Sequence, residues 1–140
     1  MVRRCCDGAA LEPLLNLTER GVPHGGGGHS VVHDYTRVLR CGACGGGVVE
    51  HHSHDCWDTG DHSSWDMYWW WRIDPADMGV VTELAARCPA PLDSGCGCEV
   101  HRGLGQAGPP RQAPPRETPY EQGPVPETRV RMDGGVPRWA

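Results

Sequence analysis

Residues 30–57 read SVVHDYTRVLRCGACGGGVVEHHSHDCW, and the fold turns on this stretch. Both flanks carry β-branched and aromatic residues, and between them lies Cys41-Gly42-Ala43-Cys44-Gly45-Gly46, which has almost no side chain. That pattern predicts a strand, a tight tip and a returning strand. Glycine accepts positive φ without a Cβ clash, so the tip can close sharply. Two thiols three positions apart on such a turn converge when backbone amides fold inward onto the sulfurs, which is what a metal knuckle requires.

Working outward, WDMYWWWRI (65–73) alternates Trp65, Met67, Trp69, Trp71 and Ile73 with Asp66, Tyr68, Trp70 and Arg72. The first set is apolar, so the segment predicts a third strand with one core-facing side. DPADMGVVTELAARCP (74–89) follows. Asp74 fits an N-cap, Pro75 the first helical position and Asp77 a capping-box acid. Met78, Val81, Ala85 and Cys88 then recur at helical spacing, and Pro89 ends the helix. Trp65, Trp69 and Trp71 are expected to pack beneath it. Toward the N-terminus, LEPLLNLTER (11–20) predicts two helical turns between Pro13 and Gly21, joined to the rest by the glycines at 25–28.

A tetrahedral site needs two ligands beyond Cys41 and Cys44. The stretch CPAPLDSGCGCEVHRGL (88–104) offers Cys88, Cys96, Cys98 and His101. Cys98 and His101 are three apart and share one face of a first helical turn. The expected zinc set is therefore Cys41, Cys44, Cys98 and His101, with Cys96 or Cys88 as alternatives for the last two. Cys88, on the apolar face of its helix, reads as a small core residue. Cys5 and Cys6 read as incidental, and Cys56 is ambiguous.

The CxxCG tip resembles the first half of zinc-ribbon and treble-clef domains, over residues 33–105 at most. The resemblance implies an α+β fold: a small antiparallel sheet of about three strands with one packed helix. Such families pair two like CxxC knuckles, whereas the second half here has a CxC and a histidine. Disordered termini complete the expected architecture: 1–30 as an N-terminal segment, 31–105 as the zinc-binding domain and 106–140 as a proline-rich tail. The tail has few apolar residues to bury, and no two of its prolines stand three apart, so it offers no PxxP ligand.

Composition bounds the function. A chain of 140 residues is one domain by length. It has six Trp and no Phe, and its thirteen basic residues are all Arg. Lys, Phe, Ile and Asn share AT-rich codons, so this reflects a GC-rich genome and not selection for phosphate binding. Net charge is −5 and the arginines are scattered, which disfavours a nucleic-acid partner. The run Met67–Trp71 is far too short to span a membrane. Asp7 and Glu12 interrupt any signal-peptide core, so the expected location is cytoplasmic, where eight cysteines favour metal over disulfides.

Two functions follow. In one, the metal is structural and the chain is a binding module, its Tyr68, Trp70 and Arg72 face contacting a protein partner. In the other, His52, His54 and a neighbouring aspartate (Asp55, Asp58 or Asp61) hold a catalytic metal. His52-Ser53-His54-Asp55 is only superficially like the HxHxDH hydrolase signature, because its aspartate comes one place early and the last histidine is missing. The first reading is preferred.

Overall fold

Four long strands run antiparallel in chain order: β1 (Leu11–His24), β2 (Ser30–Cys41), β3 (Gly47–Cys56) and β4 (Ser64–Ile73). The computed structural model describes residues 10–24, 30–56, 64–118 and 123–140. A 3-10 turn at Pro75–Asp77 leads into α1 (Met78–Arg87), and α2 (Glu99–Gln106) follows. The chain then returns along the sheet edge, where β5 (Glu127–Thr128) lies parallel to β4. A separate hairpin of β6 (Val130–Asp133) and β7 (Val136–Trp139) ends it.

The expected sheet of about three strands with one helix is thus corrected, and of the termini expected to be disordered residues 1–9 lie outside the described residues. The described residues form a five-stranded mixed sheet, a two-stranded sheet and two short helices. Residues 11–24 form an edge strand where a helix was expected, because β2 offers a full-length partner for their backbone. Pro13 is tolerated there, since an edge strand can spare a ladder donor. Register shifts between Pro13 and Leu15 and between Asn16 and Thr18 leave Leu14 and Leu17 as extra residues. These bulges turn Leu14, Leu15 and Leu17 all toward the core, which strict alternation forbids.

The C-terminal segment folds despite its prolines because it runs along an edge, where only some residues must donate. Arg116 and Tyr68 exchange both backbone hydrogen bonds at 2.8 Å, and the Arg72 N–H donates to Pro126 O at 2.8 Å. Ala113 and Trp139 join the core, and the Trp139 indole N–H donates to Leu104 O at 2.9 Å. Gly103 lets α2 approach β7: an added Cβ would sit 2.1 Å from Pro137 O.

Asp74 caps the 3-10 turn as expected, accepting from the Ala76 N–H at 2.9 Å. Asp77 makes no capping bond to its own helix. It accepts instead from Arg129 Nε (3.1 Å), Arg129 Nη2 (3.2 Å) and the Val130 N–H (3.0 Å), tying the C-terminal hairpin to the start of α1. The core lies between one sheet face and the two helices, with Val38, Val49, Trp71 and Ile73 facing Val81, Leu84 and Leu104. Trp69 is partly buried against it, as expected, while the Trp65 side chain lies outside the described residues.

Candidate metal centre

Cys88 follows α1 directly, and there the backbone turns extended (φ −73°, ψ 129°). That change of direction redirects the chain after Cys88, while the helical φ keeps the Cys88 side chain on the buried stripe of α1. The loop folds back through the Asp93 N–H to Ala90 O (3.1 Å) and the Cys96 N–H to Asp93 O (3.0 Å). Cys98 then occupies the N-cap of α2, and His101 lies in its first turn. The β1 bulge anchors the arrangement. The Asn16 N–H donates to Pro91 O at 2.8 Å, and its side-chain amide donates to Leu92 O at 2.9 Å.

These elements bring Cys88, Cys96, Cys98 and His101 together, with one donor atom from each within 4.8 Å of all the others. Cys88 Sγ lies 3.8 Å from Cys96 Sγ and 3.4 Å from Cys98 Sγ. His101 Nδ1 lies 3.4 Å from Cys88 Sγ and 3.3 Å from Cys98 Sγ. A tetrahedral zinc ion with Zn–S of about 2.3 Å and Zn–N of about 2.0 Å sets S···S edges near ~3.8 Å and S···N edges near ~3.5 Å. The observed edges match that size, so the group has the donor set and spacing to hold a metal ion.

The surroundings favour ligation by the same atoms. His101 is 4 % exposed, and its Nε2–H donates to Asn16 O at 2.8 Å. That bond fixes the tautomer and leaves Nδ1 bare toward the sulfurs, the usual outer support of a metal-bound histidine. Burial raises the Cys98 thiol pKa, but the His101 backbone amide, the His101 ring and the Cys88 and Cys96 thiols outweigh it and hold the thiol below its ordinary value. Burial pushes Cys88 the other way. The set therefore combines one thiol shifted toward ionisation with one shifted away from it.

Of the four expected zinc ligands, Cys98 and His101 belong to this group, while Cys41 and Cys44 lie at the β2–β3 turn and are not part of it. By its helical phase, Cys88 reads as core. Its burial is real at 6 % exposure, and ligation and burial coexist. The CxC of Cys96 and Cys98 is visible in the sequence, and the loop turn after Asp93 brings both thiols into the group.

On the reverse face of the sheet, Trp70 is 1 % exposed, Tyr68 half-buried and Arg72 exposed. The Trp70 indole N–H donates to Glu50 Oε2 at 2.8 Å, and the Arg116 guanidinium lies 5.9 Å over its ring. Trp70 is therefore an internal residue of this chain. His52 Nε2 and His54 Nδ1 both lie 2.8 Å from Asp66 Oδ1. Burial works to raise the Asp66 pKa, but hydrogen bonds from His54 and His52 prevail and lower it. The Asp55 side chain, Asp58 and Asp61 lie outside the described residues.

Among the described residues no helix is long and apolar enough to cross a membrane. No family model matches this sequence, and comparison with curated proteins and with solved structures likewise found no match, so the reading of the chain rests on its own geometry.

Proposed function

We propose that this chain is a zinc-stabilised module in which Cys88, Cys96, Cys98 and His101 hold a structural metal and which acts by binding a protein partner. The observation that carries the reading is the tetrahedral size of the Cys3His group. Four protein ligands close a zinc site, leaving no position for a substrate or an activated water. The ion would join α1, the loop, α2 and, through His101, the β1 bulge. Its binding free energy then counts as folding free energy.

The partner contact rests on the side of β4 that bears Tyr68 and Arg72, with Trp70 serving beneath them as support. The alternative of a catalytic metal at His52 and His54 has less behind it. Asp66 Oδ1 stands 2.8 Å from both rings and accepts from them, which accounts for the cluster as a hydrogen-bonded one, and the only group among the described residues with the spacing to hold a metal is the Cys3His group.

Metal analysis of the purified full-length chain tests the reading. Zinc should be present, and Cys88→Ser or His101→Ala should remove it. Chelation should melt the near-UV circular dichroism of the tryptophans. A metal content unchanged in both variants, with a near-UV signal indifferent to chelator, would sink the proposal.

A further inference from the structure

The core-facing side of the sheet turns polar where α2 ends. Alternation puts Asp34 and Thr36 of β2 and His51 of β3 on the side that bears Val38 and Val49. With Leu17, Leu104 and the last turn of α2 they border a cleft of about 360 Å³. That is the size of a small-ligand pocket. Leu17 and Leu104 are 2 % and 1 % exposed and give the cleft an apolar floor.

Thr36 and His51 are engaged with each other, Thr36 Oγ1 lying 2.8 Å from His51 Nδ1. The His51 ring also packs 5.2 Å from the Trp69 ring. Burial lowers the His51 pKa, with the Asp34 charge opposing, so the ring is neutral under ordinary conditions and is no counter-ion for Asp34. Asp34 itself is uncompensated. Its Oδ1 is buried and has no hydrogen-bond partner among the described residues. A carboxylate closed off on one side and unpaired is costly, and a cation on its open side offsets that cost. Arg20 is its partner in the β1–β2 register, but Arg20 stands exposed and forms no ion pair with it.

The end of α2 strengthens the same preference. Gly105, Gln106 and Ala107 border the cleft, and the last turn of α2 contains no basic residue. Carbonyls at a helix C-terminus carry partial negative charge and favour a cation. Arg138 meets this end at Gln106 Oε1, 2.7 Å away in an exposed contact, and does not border the cleft.

We propose that this cleft binds a small organic ammonium ion, its charged head on Asp34 and its hydrocarbon body against Leu17 and Leu104. A neutral alcohol would leave the carboxylate uncompensated, and an anion would meet Asp34 and the helix end with the wrong sign. None of the four Cys3His residues borders the cleft, so the two sites are tested separately.

Calorimetric titration of the full-length protein with phenethylamine at neutral pH tests the proposal, with phenethyl alcohol and phenylacetate as the neutral and anionic counterparts. The amine should bind saturably, and the other two should bind about tenfold more weakly or not at all. Asp34→Asn should weaken the amine by about tenfold or more. It should keep the near-UV spectrum and metal content of wild type, because the carboxylate has no partner within the fold. Arg20→Gln removes the competing cation and should bind the amine at least as well as wild type. Equal affinity for amine and alcohol overturns the proposal, as does wild-type amine affinity in Asp34→Asn. No saturable binding of either phenethylamine or the shorter butylamine overturns it too. The amine–alcohol comparison on wild type decides the matter even if Asp34→Asn fails to fold.

Discussion

Glu50 is 0 % exposed, and a buried carboxylate is tolerable only when both oxygens are engaged. Oε1 accepts from Arg37 Nε (2.9 Å) and the Tyr35 hydroxyl (3.3 Å), with Arg37 Nη2 at 2.8 Å. Oε2 takes the Trp70 N–H. Burial, with Glu50 next to it, pushes the Tyr35 hydroxyl up to about 12, so it remains a donor across the ordinary pH range. Trp70→Phe keeps most of the ring area and deletes the one indole donor. It should cost about 1–3 kcal/mol, the penalty for stranding a buried acceptor. Urea unfolding of the metal-loaded protein measures this, and a midpoint equal to wild type would show that Oε2 has another donor. The alternation of residues 65–73 placed Trp70 opposite Trp69 and Trp71 but did not reveal Glu50 across the strand pair as its partner. Cross-strand register is a tertiary property, and one sequence does not carry it. Of the quartet, Cys98 and His101 were legible because a helical turn fixes their spacing locally. Cys88 stood only as an alternative ligand, because its helical phase reads equally as core and only the fold of the loop after α1 brings Cys96 and Cys98 to it.

At the scale of elements, hydrophobic pattern separated strand from helix where alternation was regular and failed where bulges broke it. LEPLLNLTER has leucines at 11, 14, 15 and 17, a spacing that fits a helix, and the two bulges of β1 produce that spacing within a strand. A bulge depends on the partner strand, so nothing within residues 11–20 announces it. The turn at Pro75–Asp77 shows a related ambiguity, since Asp77 suits a helix start yet serves a distant hairpin. Hydrogen bonds from Arg129 hold the Asp77 carboxyl below its ordinary range, with burial opposing and the Val130 amide assisting. A carboxyl whose folded pKa is depressed contributes stability above its unfolded value, near pH 4, and that stability fades as pH falls through the folded value. Asp77→Asn should therefore lower the melting temperature at neutral pH, and the gap from wild type should close progressively below about pH 4. Any metal that the Cys3His group held would leave both proteins alike in acid, so the gap between them isolates Asp77. A gap that persists unchanged into acid would mean the carboxylate charge is not what pins the hairpin.

Over the whole molecule, the C-terminal segment links the sheet edge, the core and the helix that carries half of the Cys3His group. A stretch with prolines at 109, 110, 114, 115, 119, 124 and 126 reads as unfolded because composition measures what a segment lacks to form a core of its own. This one needs no core of its own. It borrows the edge of β4 through Tyr68, Arg72 and Asp74, and it delivers Trp139 onto α2. The Thr128 hydroxyl donates to Ala140 O at 3.3 Å, and Arg129 exchanges both backbone bonds with Ala140, so the last residue is tied in. Beneath Trp139 lies the helix whose first turn carries His101 and whose N-cap is Cys98. The hairpin thereby holds half of the Cys3His group in place from behind. Trp139→Ala should cost about 3–5 kcal/mol, as for other buried large aromatics. It should also weaken zinc retention, because Trp139 packs with the core beside α2 and its indole N–H donates to Leu104 O. Competition with a chromophoric chelator measures the retention, and urea unfolding of the metal-free protein measures the fold separately. Lower stability with unchanged zinc affinity would show that α2 keeps its position without the hairpin. Lower stability accompanied by faster zinc loss establishes the coupling from chain end to metal centre.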